Sequence, residues 1–109
     1  MAYDEKLAAR VRRALDDHGP LVEKKMFGGL CFMLNGHMTA GVVRDLLMLR
    51  VGPDNYAKVL KLKHASEMDF TGRPMKGMVY VETEGTATLP KVRKWLTHAI
   101  GFVSTLPPK

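Results

Sequence analysis

The chain has 109 residues with 46% hydrophobic content, a length and composition that suit one domain over 1–109 with a single core. Its one cysteine, Cys31, excludes an internal disulfide. The formal charge of +6 admits nucleic acid, an anionic surface or an acidic protein as partners.

No apolar run approaches the length of a membrane span, so no membrane partner is expected. The opening "MAYDEKLAARVRR" is charged and carries no apolar leader core. With Cys31 in an apolar run, a buried free thiol in a reducing, cytoplasmic compartment is expected.

"YDEKLAARVRRALDDH" predicts an amphipathic helix. Tyr3, Leu7, Val11, Ala14 and Leu15 share one face, and Asp4 and Glu5 fall in its first turn. His18, Gly19 and Pro20 stop it. Lys6, Arg10 and Arg13 form a basic stripe, which reads as a solvated face or as a face turned to an anion.

From Leu21 the pattern changes to strands. "LVEKKMF" runs into Gly28-Gly29, "LCFMLN" follows, and Asn35-Gly36 is a hairpin signal, because a type I′ turn needs positive φ at both centres. Arg44-Asp45 turns the chain again into "LLMLRV". The result is a meander of about four antiparallel strands. Alternation sets Leu30, Phe32 and Leu34 on one face and Cys31 and Met33 on the other. Both sets are apolar, so both faces are expected to be covered at least in part, and a homodimer is one way to cover the second. The eight methionines are read mainly as core filler, with an adaptable interface as the alternative.

Pro53 opens a predicted helix with Tyr56, Val59 and Leu60 on its apolar side and Lys58, Lys61 and Lys63 in water. "ASEMDFTGRPMKG" reads as loop and turn, "MVYVE" as a strand and "TEGT" as a loop. "LPKVRKWLTHAIGFVSTL" is a final helix with Leu89, Val92, Leu96, Ala99, Ile100 and Val103 inward, and Lys91, Lys94 and His98 roughly opposite. "PPK" reads as a frayed end. The expected fold is α+β: a two-layer arrangement with an antiparallel sheet of about five strands and flanking helices, in the order α-β-β-β-β-α-β-α.

Lysine beside paired glycines suggests a phosphate cradle, but a P-loop needs the lysine after the glycines, and Lys24 and Lys25 precede them. Gly28-Gly29 therefore reads as a bend between strands. No metal is expected, since His18, His37, His64 and His98 are scattered. No catalytic residue is expected either, because no serine, cysteine or lysine is marked by a neighbouring base. No cofactor is implied. Nucleic-acid contact would rest on Lys6, Arg10, Arg13, Lys24, Lys25, Arg73, Lys76, Lys91 and Lys94. Spread over several elements, they would act through charge rather than base reading.

"KKMFGGLCFMLNGHMTAGV", "MDFTGRPMKGMVYV" and "LPKVRKWLTHAIGFV" together resemble the TfoX/Sxy N-terminal domain family. The M-F-G-G bend (Met26, Phe27, Gly28, Gly29), the Asn35-Gly36 hairpin and the closing W-L-x-x-A helix carry the likeness, which runs from about Ala8 to Val103. The resemblance implies an antiparallel sheet flanked by helices, and a link to natural competence and transcription. Full-length regulators of this kind carry a second, C-terminal helical domain; the chain is read as the N-terminal module alone. No catalytic residue comes with the family. The expected function is a non-enzymatic accessory module that binds a protein partner. Nonspecific nucleic-acid binding is the alternative, and a small-ligand site near the Gly-Gly bend is the third reading.

Overall fold

The computed structural model describes residues 3–26, 28–69 and 74–107, with the side chains at 26, 68, 69 and 74–76 excepted. Helix α1 spans Glu5–Leu15. Asp4 caps it rather than lying in its first turn: the carboxylate accepts the Lys6 N–H at 2.9 Å and the Leu7 N–H at 3.3 Å. A 3₁₀ turn at Asp16–His18 follows, and Gly19, at φ +125°, releases the chain into Pro20.

Strands β1 (Leu21–Met26), β2 (Gly29–Leu34), β3 (His37–Val43) and β4 (Leu46–Arg50) form the expected meander. Asn35 and Gly36 take φ values of 53° and 84°, the requirement of the turn predicted there. Arg44, at φ 54°, makes the next reversal. Helix α2 is confined to Tyr56–Leu60. The chain at 53–55 is a turn instead of the helix start that Pro53 suggested, and the Asn55 side chain donates to the Val51 carbonyl at 3.3 Å. β5 (Ala65–Asp69), β6 (Pro74–Val81), a 3₁₀ turn at Thr83–Gly85 and α3 (Leu89–Val103) complete the order.

The fold is α+β, with a six-stranded antiparallel sheet in the order β1-β2-β3-β4-β6-β5 among the described residues. The expected count of about five missed β5, and the expected β6 began four residues late. "ASEMD" has no apolar alternation because it is an edge strand. It lies at the rim of the sheet with Ser66 and Glu67 exposed, and its order comes from pairing with β6.

All three helices pack on one face. Leu30, Phe32, Ala40, Val42, Leu47, Leu49, Val79 and Val81 from the sheet meet Leu7, Val11 and Leu15 of α1, Val59 of α2, and Val92, Leu96 and Ala99 of α3. Each fully buried large side chain of this set is worth about 1.5–3 kcal/mol. Arg12 donates to both Glu23 carboxylate oxygens, at 2.5 and 2.7 Å, and ties α1 to β1. The opposite face carries a second cluster of Cys31, Val43, Met48 and Met78, with Met38 and Tyr80 against it. A bulge beside Phe32 makes Thr39 the extra residue of β3, so that Met33 pairs with Met38 on this face. The Pro107 carbonyl lies 2.5 Å from His37 Nε2, and the other two residues of the expected frayed end, Pro108 and Lys109, lie outside the described residues. Among the described residues no helix is long and apolar enough to cross a membrane.

Candidate functional site

The basic residues singled out from sequence do not form one patch. Lys6 and Arg13 are exposed on α1. Arg10, between them, is partly buried and donates from Nη1 to the Thr86 carbonyl at 3.2 Å, which holds α1 to the loop before α3. Lys24 and Lys25 are exposed on opposite faces of β1. Lys24 is paired with Cys31 on the helix-free side, Lys25 with Leu30 on the helical side. Phe27 and Arg73 lie outside the described residues, as do the side chains of Met26 and Lys76.

At the bend, Gly28 has φ +73° and open space where a Cβ would sit. Gly29 is different: a Cβ there would collide with the backbone carbonyl of Val42. One glycine supplies the left-handed conformation and the other lets β3 approach. The backbone of β3 lies directly against Gly29.

Lys91 and Lys94 do converge. They line a cavity of about 290 Å³ where α3 meets the turn after α2 and the 3₁₀ turn after β6. Lys91, Lys94, Trp95 and His98 come from α3; Leu62, Lys63 and His64 come from the turn, and Glu84 and Gly85 from the loop. Trp95 is half-buried, and its indole N–H donates to the Gly85 carbonyl at 2.9 Å, so the ring has a fixed orientation. The His98 ring lies 6.3 Å from it, tilted by 53°. Lys91 Nζ reaches the Glu84 carbonyl at 3.5 Å. His64 holds φ +77°, a costly conformation for a residue with a side chain, and its Nδ1 is 3.6 Å from a Glu82 carboxylate oxygen. Burial pushes the His98 pKa below the ordinary imidazole value, and the positive charges of Lys58 and Lys94 push it the same way.

Sequence reasoning set Lys91, Lys94 and His98 roughly opposite the apolar face of α3 and left Trp95 at its border. Spacing held the missing signal, since 91, 94, 95 and 98 recur at i, i+3, i+4 and i+7 and share one stripe. Lys63 and His64 had no such signal, because the fold alone brings them to α3. The histidines are thus less scattered than the sequence suggests: His64 and His98 border one cavity. Among the described residues no group of three His, Cys, Asp or Glu side chains is placed to hold a metal ion.

The helix-free face is the second feature. Every methionine whose side chain is described, Met33, Met38, Met48 and Met78, stands on it. Met48 and Met78 are buried in its cluster, as expected of core filler, while Met33 and Met38 are half-buried. Met48 and Cys31 are fully covered, Tyr80 is half-buried and Val22 is 52% exposed. Burial raises the Cys31 thiol pKa.

Residues 13–103 match the family model described as the TfoX N-terminal domain. The chain belongs to this family. No match to a curated protein or to a solved structure was found. As a TfoX N-terminal domain, the chain has its match starting within α1 at Arg13 and running to the last residue of α3. The whole sheet and every residue lining the cavity fall inside it, whereas Lys6 and Arg10 fall outside.

Proposed function

We propose that this TfoX N-terminal domain is a non-enzymatic accessory module of transcription regulation, working in the cytoplasm by binding a protein partner through the helix-free face of its sheet. The observation that carries this reading is the concentration of methionines there. A thioether surface is apolar and adaptable, and it repacks readily against a second protein. Val22 and Lys24 rim the face on the edge strand β1, so a partner with an apolar patch and an adjoining carboxylate is the complement. Capture from extracts of the native host tests the reading. A transcription component retained by the wild type should be released by Val22→Asp and by Lys24→Glu, both exposed positions that leave the core intact. A captured set unchanged by either substitution overturns it. Self-association of the purified chain that the same substitutions abolish would make the partner a second copy.

A second reading, direct nonspecific binding of nucleic acid, draws on α3. Lys91, Arg93 and Lys94 are exposed there, and its fifteen residues include no Asp or Glu. Such binding weakens steeply with salt, because it releases counterions. No retention of DNA or RNA at low salt would remove this reading.

A further inference from the structure

The cavity between α3 and the loops at 62–64 and 84–85 has a chemistry that partner binding through the sheet does not use. Lys63, Lys91 and Lys94 come from two elements to line one opening, and Glu84 is the one acidic residue lining it with them. Beside them stands the Trp95 indole, its polar edge already satisfied by the Gly85 carbonyl and the rest of the ring apolar. A solvated helix face does not explain this arrangement. Lys63 and His64 come from a different element, and His64 keeps a left-handed backbone at the rim. Gly85 seats that rim tightly: a Cβ there would lie 3.0 Å from His64 Cβ.

We propose that this cavity binds a small aromatic phosphate monoester, with its ring against Trp95 and its phosphate among Lys63, Lys91 and Lys94. Two features select this class. The excess of two positive charges matches a phosphate dianion better than a single carboxylate. A volume of about 290 Å³ lies near the lower end of small-molecule sites, so a one-ring ligand fits better than a dinucleotide. The inference stands apart from the partner-binding reading, and neither depends on the other.

Trp95 is the one tryptophan of the chain, so its fluorescence reports on this cavity without labelling. Phenyl phosphate should change the emission saturably and raise Tm by mass action. Benzoate should bind more weakly and inorganic phosphate roughly tenfold more weakly, while phenol should leave both signals unchanged. Lys63→Gln and Lys94→Gln should each weaken phenyl phosphate roughly fivefold, and Lys24→Gln, on the other face, should not. These exposed substitutions keep the fold, and thermal melting of each free variant checks that. The proposal is overturned if phenyl phosphate gives no saturable change in either signal, or if the cavity variants bind as the wild type does. Inorganic phosphate binding as tightly as phenyl phosphate would overturn the aromatic part of the assignment.

Discussion

Gly28 and Gly29 look alike in sequence and have different physical roles. Gly28→Ala places a side chain at φ +73° with free space around it, so its cost is backbone strain alone, about 1 kcal/mol. Gly28→Asn should recover part of that, since asparagine tolerates the left-handed region. Gly29→Ala drives a methyl into the Val42 carbonyl, where only backbone movement gives relief, at a cost on the order of 2–3 kcal/mol. Urea unfolding of the three variants measures the order; equal stabilities for Gly28→Ala and Gly29→Ala would contradict it. The sequence made Gly28-Gly29 legible as a bend but not this division of labour, because the crowding at Gly29 comes from a strand thirteen residues away. Asn35-Gly36 was fully legible, since its turn chemistry is local. Tyr56 makes the opposite point. Its buried hydroxyl has no hydrogen-bond partner among the described residues, and burial pushes its pKa up. Tyr56→Phe should therefore leave the melting temperature unchanged or raise it, because the desolvated hydroxyl contributes no bond to lose. A large drop in Tm would show that the hydroxyl is paired.

At the scale of the element, α1 and α3 could be read directly, because each shows a strong 3.6-residue period; the capping roles of Asp4 and Thr88 come from the structure. The helix α2 was legible but its short extent was not, and β5 was not legible at all, for related reasons. Both are five residues long and receive their order from neighbours: α2 from the sheet beneath Val59, β5 from its ladder with β6. The α3 stripe that faces the cavity carries its own pH dependence. In the folded chain the His98 pKa is depressed, chiefly by burial and further by Lys58 and Lys94; His64, Lys63 and Glu84 border the same space. A depressed histidine favours the neutral ring. Above the unfolded value near 6.5 both states are neutral and the full stability is present. As pH falls below 6.5 the unfolded chain takes up a proton first, so stability declines until the folded pKa is passed. His98→Gln should flatten the melting temperature in that window. A wild-type curve that is level or rises between about pH 6.5 and 5 would refute the assignment.

On the scale of the whole molecule the two faces of the sheet are unequal. One is sealed by the helices, and the other, among the described residues, is closed by side chains of the sheet itself. The sequence showed that both faces are apolar, because Leu30, Phe32 and Leu34 alternate with Cys31 and Met33. It could not show which face the helices take, nor that the bulge at Thr39 would gather methionines on the other. Cys31 reports how firmly that second face is held. It sits on β2, inside the sheet between β1 and β3, with no exposed surface and a raised thiol pKa. A thiol so placed reacts only when the strands around it open. Two openings are distinguishable. If the second cluster is as cooperative as the helical core, modification of Cys31 by a disulfide reagent follows global unfolding. Its free energy of opening then equals that from urea melting and falls with the same slope on added denaturant. If the face breathes locally, labelling is faster and insensitive to low urea. The packing of Cys31 and Met48 beneath Val43 and Met78 predicts the first result. Val22→Asp, on the edge strand outside the cluster, should leave the labelling rate unchanged, because it perturbs the surface offered to a partner and not the cluster that supports it. Fast labelling of the wild type, independent of urea, would show that the helix-free face is locally mobile and that the second cluster does not share the cooperativity of the first.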